Sequence, residues 1–316
     1  MSRPLDRARS AIARLCAGEP ALLGVSGGAD SLALAVAASE LVAAGKLQAG
    51  AVIVDHGLQA GSAEVSARAA EQCRSLGLDP VSTVAVHSAP SEAAARTARY
   101  AAFDNALSES GAAHLLLGHT RDDQAEQVLL GLLRGSGTRS LAGMPERRGP
   151  YARPLLGLSR AETEQICRRA GLDFWVDPSN ADTGYRRNAV RHEVLPALER
   201  SLGPGIRSAL VRTAELAAAD AEALEEWAQT EFARLTRSEG IDLKQLRQLP
   251  LAVGTRVLRL AAVHAGARNL GHERTAALAG LAGVGVRASR SAGPVQLEGG
   301  ISAWRRGPVI VFTEGG

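Results

Sequence analysis

The sequence predicts an α/β protein: a parallel sheet in the N-terminal part, then a smaller, mainly helical C-terminal domain that ends in strands. Three observations predict it. Short apolar runs at Ala21 to Val25, Ala51 to Val54, Val81 to Val86 and His114 to Leu117 begin about 30 residues apart. Helix-like stretches at Ser31–Ala44, Ala63–Leu76, Glu92–Ser110 and Asp122–Arg134 fill the intervals. The apolar runs are continuous, as strands covered on both faces require. This alternation reads as βαβ units in a Rossmann-like sheet, with ligands at the carboxyl ends of its strands. Ser26 follows the first run, Asp55 and His56 the second, and His119 the fourth.

Beyond the fourth run, Gly135 to Pro150 reads as a loop, and Pro154 to Cys167 as a turn entering a helix capped by Ser159. Asp177-Pro178-Ser179-Asn180 is turn chemistry. Ile206 to Leu235 reads as one long helix, and Val309–Phe312 as a closing strand. A length of 316 residues suits two domains. The boundary is expected near Pro196, giving 1–196 as the ligand-binding part and 197–316 as the second domain.

Composition narrows the function classes. No long apolar run lacks a charge and no apolar stretch follows Met1-Ser2-Arg3, so neither a membrane span nor a signal peptide is expected. Cys16, Cys73 and Cys167 lie far apart, with no zinc spacing and no disulfide framework. A cytoplasmic, reduced protein is expected. The net charge of +3 is uneven, because ten basic and four acidic residues lie from Ile241 onward. That asymmetry suggests a polyanionic partner for the second part. Of 36 basic residues only Lys46 and Lys244 are lysine, and arginine suits bidentate phosphate contacts. Aromatic residues make up only 3%, which argues against a base-stacking platform.

The most informative segment is Leu22-Leu23-Gly24-Val25-Ser26-Gly27-Gly28-Ala29-Asp30-Ser31-Leu32. Adjacent glycines after a strand let backbone N–H groups converge, and a helix N-terminus adds partial positive charge. Together they bind phosphate. No Gly-Lys-Ser/Thr follows, so this is not a Walker A loop. Gly24-Val25-Ser26-Gly27-Gly28 also matches the G-x-S-x-G nucleophile elbow, but it follows the first strand and leaves no preceding chain to build an oxyanion hole. A ligand-free turn would need neither Asp30 nor Ser31 at its mouth.

A second segment, Gly118-His119-Thr120-Arg121-Asp122-Asp123-Gln124-Ala125-Glu126, puts Asp123 and Glu126 on one helix face with His119 just before it. Such carboxylates suit a metal–phosphate site or an amine nucleophile. Thr120-x-x-Asp123 also reads as a helix cap.

Ser26-Gly27-Gly28-Ala29-Asp30-Ser31 resembles the SGGxDS loop of the PP-loop ATP pyrophosphatases. Four further segments occur in order: Glu92-Ala93-x-Ala95-Arg96-x-x-Arg99-Tyr100, the His119 to Glu126 segment, Arg153-Pro154-Leu155-Leu156, and Trp175-x-x-Asp177-x-Ser179-Asn180 followed by Arg187-Asn188-x-x-Arg191. With Asp55-His56 they are similar to the tRNA(Ile)-lysidine synthetase family. The likeness is dense from residue 20 to 200 and thinner beyond. Thr120 and Gln127 depart from frequent family residues, and the chain is shorter than the longest members.

The resemblance implies the PP-loop ATPase fold and a ligase for tRNA modification. ATP would lie on Ser26, Gly27, Gly28, Ala29, Asp30 and Ser31, with adenine against Val54, Asp55 and His56. Asp30 is the first candidate ligand for Mg²⁺ and Asp123 the second. Asp123 or Glu126, with His119 beside them, would bind and deprotonate L-lysine. Arg96 or Arg99 would hold a phosphate or the amino-acid carboxylate. Arg187, Asn188 and Arg191 are assigned to tRNA or to the seam between domains. The tRNA expected is tRNA(Ile) with a CAU anticodon. A homo-oligomer is compatible with the sequence. Another amidating PP-loop ligase such as NAD synthetase, or a nucleotide- and tRNA-binding protein without turnover, remains the alternative.

Overall fold

A computed structural model describes residues 3–55, 57, 61–86, 92–135, 137–285, 291 and 293–314. His56 lies outside the described residues. The chain divides into two compact units: Met1–Leu133 with Gly143–Thr213, and Arg134–Ala142 with Ala214–Gly316. The division thus falls at Thr213 rather than near Pro196. The reason is packing: Leu195, Leu198, Ile206, Leu210 and Val211 share a core cluster with Ala125 and Leu129.

The first unit opens with α1 (Pro4–Cys16), β1 (Ala21–Val25), α2 (Ala29–Ala43), β2 (Ala49–Asp55) and α3 (Ser62–Ser75). It continues through β3 (Val81–Ala85), α4 (Glu92–Ser110), β4 (His114–Leu117) and α5 (Arg121–Leu133). The strands and helices expected to residue 134 are therefore present, with ends shifted by a residue or two. Helix α1 is an addition. Its Ala8, Ile12, Leu15 and Cys16 are buried along one face, and Pro4 pre-sets its first turn. Past α5, the stretch expected to be a loop holds α6 (Thr138–Leu141), which belongs to the second unit, and β5 (Arg147–Arg148). Next come β6 (Tyr151–Ala152) and α7 (Arg160–Arg169). Ser159 caps α7 in a reciprocal box with Glu162, as its sequence position implies. Then follow a 3₁₀ turn (Pro178–Ala181), α8 (Arg186–Ala189), a π turn (Val190–Val194), α9 (Leu195–Leu202) and α10 (Ile206–Leu235), whose residues from Ala214 belong to the second unit.

The sheet order is β3-β2-β1-β4-β6-β5. All neighbours are parallel except the β5–β6 pair at the edge. Chain order reverses between β1 and β4, so the crevice between their carboxyl ends is the topological switch point. Both faces are covered. Ala21, Leu23 and Val25 of β1 pack with α1, α2 and α7. Leu22, Val52, Leu115 and Leu117 pack with Phe103 and Leu107 of α4 on the other face. Cys16, Cys73 and Cys167 are all fully buried on the α1–α2–α7 side. Burial pushes the thiols of Cys16 and Cys73 up to about 11 and that of Cys167 up to about 12.

The second unit contains β7 (Thr236–Arg237), β8 (Gly240–Asp242), α11 (Leu243–Leu246), α12 (Leu251–His264), α13 (His272–Ala282), β9 (Val295–Leu297), β10 (Ile301–Arg306) and β11 (Val309–Glu314). Its antiparallel sheet runs β7-β8-β11-β10-β9 around a core that includes Leu235, Val257, Leu278 and Ile310. Helices followed by closing strands match the expected character of this part. Among the described residues, no helix is long and apolar enough to cross a membrane.

Close approach of strand edges makes Gly50 sensitive. A Cβ there would lie 2.4 Å from the Pro80 carbonyl oxygen and 2.9 Å from Leu22 Cδ2. Gly50→Ala is expected to destabilise the first unit by about 1–3 kcal/mol. Its calorimetric midpoint should fall by roughly 2–10 °C, and an unchanged midpoint would refute the close packing.

Candidate active site

The loop after β1 is held by one hydroxyl. Ser31 Oγ accepts the Ser26 N–H at 3.1 Å and donates to the Gly28 carbonyl at 3.0 Å. Ser26 Oγ lies 3.3 Å from the same oxygen. Gly27 has φ +78°, where a side chain would be strained, and its carbonyl accepts the Trp175 N–H at 2.9 Å. Gly28 caps α2 without a side-chain acceptor, and the helical ladder starts with Leu32 N–H on the Gly28 carbonyl. The N–H groups of the first turn therefore have no helical acceptor, at the positive end of the helix. This is a seat for phosphate oxygens. Gly118 closes it from β4, because a Cβ there would lie 3.0 Å from the Asp30 backbone.

Asp30 follows the glycines as expected. Its Oδ2 accepts from Arg160 Nη2 at 3.2 Å, and its Oδ1 accepts from the Thr163 hydroxyl. Burial raises the Asp30 carboxyl, against Arg160 and Thr163, and neighbouring Asp123 adds to the rise. Two of its four lone-pair positions remain. Magnesium takes one or two carboxylates together with phosphate oxygens. Asp30 at the mouth of the phosphate seat fits that chemistry. No group of three His, Cys, Asp or Glu side chains able to hold a metal ion occurs among the described residues.

The acids of α5 lie in a cluster with two arginines. Asp123 Oδ2 accepts the Thr120 N–H at 2.8 Å and the Thr120 hydroxyl at 2.9 Å. Its Oδ1 accepts from Arg187 at 3.0 Å and Arg191 at 3.1 Å. Glu126, 1% exposed, accepts from Arg187 Nε at 2.8 Å and from Arg191 at 2.6 and 3.0 Å. The cap suspected at Thr120-x-x-Asp123 is present, and the same carboxylate is also ion-paired. Burial would raise the Asp123 carboxyl, but Arg187, the Thr120 N–H, His119 and Arg191 hold it below the ordinary value. All four lone-pair positions of Asp123 carry donors. Asp30, by contrast, keeps two positions open; both acids were expected as magnesium ligands. Arg187 and Arg191, expected on tRNA or at a domain seam, lie on these acids. Asn188 donates to the Ser179 and Asp182 carbonyls, both at 2.9 Å, and so ties the 3₁₀ turn to α8.

His119 leaves β4 beside this cluster. Burial pushes its imidazole down to about 4, against Asp123 and with help from Arg153, Arg187 and Arg96. It is therefore neutral near pH 7, and its Nδ1 is buried with no hydrogen-bond partner among the described residues. Arg96 lies 4.9 Å over the Tyr100 ring and is one of the charges felt by His119. Arg99 is exposed on the same helix. Val54 and Asp55 end β2 next to β1, and Asp55 Oδ1 accepts the Gly57 N–H at 2.9 Å. Asp30 feels Asp123 and Arg191, so the phosphate loop and the acid cluster form one electrostatic site. Arg160, Thr163, Trp175 and Thr120 join it beyond the expected residues. Thr120 had a local signal in its helix-capping spacing and Trp175 in the Trp175-x-x-Asp177 segment; Arg160 and Thr163 had none.

The PP-loop domain family matches residues 6–198. The tRNA(Ile)-lysidine synthase of Salinispora tropica is 48% identical over 298 residues, covering 91% of this chain and 88% of its own. That of Thermobifida fusca is 49% identical over 262 residues, covering 82% of this chain and 81% of its own. Among solved structures, the U34-tRNA thiolase of Methanococcus maripaludis superposes with a TM-score of 0.56 at 18% identity, covering 67% of this chain and 77% of that one. This last likeness concerns the fold alone.

Two outcomes follow from the electrostatics. Arg191→Met leaves Glu126 buried and underpaired, and should destabilise the first unit by about 3 kcal/mol in urea unfolding. Adding Glu126→Gln should recover about half of that loss; no recovery would show that the pairing is not the cause. The unfolded chain protonates His119 near pH 6.5, the folded one only near 4. Between those values the unfolded state binds more protons, so stability should fall as pH drops from about 6.5 to about 4. His119→Asn should flatten that part of the profile.

Proposed function

The chain belongs to the tRNA(Ile)-lysidine synthases, a PP-loop family, and from that premise we propose how its residues make lysidine. The reaction joins L-lysine to C2 of the wobble cytidine of tRNA(Ile) with a CAU anticodon, at the expense of ATP, in the cytoplasm. The carrying observation is the seat of N–H groups from Ser26 to Ser31 beside the acid cluster, in a chain so similar to lysidine synthases.

ATP lies with its phosphates on the loop and its adenine against Val54 and Asp55 at the end of β2. His56 is assigned to the same adenine pocket. Asp30 would hold Mg²⁺ beside the phosphates, where the ion would supply neutralisation of their charge. The cytidine C2 oxygen attacks the α-phosphorus, and pyrophosphate leaves. The lysine ε-amine then attacks C2, and AMP departs with the former C2 oxygen. An ammonium cannot attack, and free lysine has a pKa of about 10.4, so a base is needed. Glu126 Oε1 accepts only one of the three hydrogen bonds to that carboxylate. It is assigned the amine and its proton, with Asp123 as the fixed charge beside it. Neutral His119 completes that wall. Arg96, rather than Arg99, is assigned to an anionic substrate group, because its charge reaches His119. The basic segment from Ile241 onward supplies phosphate contacts to tRNA.

The test uses purified protein, Mg-ATP, labelled lysine and a tRNA(Ile) transcript with a CAU anticodon. Label should enter that transcript with matching AMP, and not a wobble-uridine transcript. Asp30→Ala should lower both by at least about 100-fold. AMP formed with some other acceptor would sink lysidine formation. Bound tRNA without AMP would favour a binding protein.

A further inference from the structure

Arg160, Arg187 and Arg191 each pair with a carboxylate. Arg153 does not follow them. It comes directly after β6 and is only 6% exposed. Its Nη1 donates to the Pro145 carbonyl at 2.9 Å, while its Nε is buried with no partner among the described residues. Its strongest electrostatic neighbours are Tyr100, Arg96 and Arg148, with no acid among them. Burial and the two arginines hold the guanidinium below the ordinary arginine value, against the hydrogen bond to Tyr100. A buried cation with one N–H unpaired and two other guanidinium groups nearby is costly unless an anion joins it. Among the described residues, the neighbouring His119 also keeps a buried ring nitrogen without a partner.

Position adds to this. Register pairs Leu116 of β4 with Ala152, so Arg153 emerges at the carboxyl edge of the sheet, alongside the exit of β4 that leads to His119. β4 separates it from the phosphate loop of β1, a step of two strands or roughly 10 Å. That offset places it away from the phosphate seat and in electrostatic contact with the wall assigned to the amine.

We propose that Arg153, with His119 beside it, is an oxyanion seat of the active site, and that its ligand is the carboxylate of the amino-acid substrate. The identity of that amino acid rests on the function proposed above. The same guanidinium fork would also suit a phosphate oxygen of the nucleotide, so the test separates the two.

Binding is measured calorimetrically on the full chain without tRNA, so turnover is not required. Wild type, Arg153→Met and Arg153→Lys are titrated with lysine and with cadaverine, which lacks the carboxylate, and with ATP and with adenosine. Arg153→Met should weaken lysine by at least about tenfold and cadaverine by less than about twofold, with Arg153→Lys between. A loss on ATP but not adenosine would keep the seat and assign it to phosphate. Equal losses within each pair, or no loss, would overturn it. If Arg153→Met does not fold, the same ratios for Arg153→Lys decide. If wild type binds neither lysine nor ATP, the proposed function falls. The seat is then judged by inorganic phosphate: a thermal midpoint raised in wild type and not in the variants keeps it, and any other pattern overturns it.

Discussion

The burial of helix α2 is the constraint on which the rest of the site depends. From Ser31 to Ala38 every residue of the helix is buried. Four of those eight are alanine, so α1, α7 and the sheet can all approach its backbone closely. A helix gripped on all sides cannot turn about its axis, and its first-turn N–H groups are fixed at the end of β1. Ser31 belongs both to that core and to the loop, because its hydroxyl holds Ser26 and Gly28 in the turn. Gly118, Trp175 and the Asp30–Arg160–Thr163 contacts then attach to a rigid reference.

The site has two kinds of charge beside one another. On one side, Asp123, Glu126, Arg187 and Arg191 form a balanced group of two acids and two guanidinium ions, with every partner seen in the structure. On the other, His119 is neutral and the Arg153 guanidinium, beside Tyr100, feels Arg96 and Arg148. The first arrangement orders α8 and the π turn against α5 without net charge. The second leaves positive potential at the sheet edge. An anion would be drawn to the second wall and not to the balanced one.

Features encoded by neighbouring residues were legible in the sequence. The four strands, the Ser-Gly-Gly turn and the caps at Ser159 and Thr120 each rest on spacings of a few residues. What was not legible depends on distance along the chain. Arg187 reaches Asp123 across 64 residues, and Thr163 reaches Asp30 across 133. Nothing local tells a guanidinium destined for a buried acid from one destined for RNA. Strands β5 and β6 have two residues each, too short for any periodicity. Helix α1 had its apolar positions at Ala8, Ile12 and Leu15, but preceding the first strand it answered no requirement of the βαβ pattern. The boundary near Pro196 failed for a similar reason: a proline marks a local break, whereas Leu195 and Val211 join one core from either side of it.

The three cysteines have a practical consequence. All lie in the core beneath α1, α2 and α7, with thiols that burial keeps protonated. An alkylating reagent needs an exposed thiolate, so the closed protein is silent toward it. Any labelling that does occur counts openings of the first unit. The chain thus carries three built-in reporters of its own breathing. A ligand that seals the crevice around α2 would be seen as a slower clock, with no dye, tag or substitution introduced.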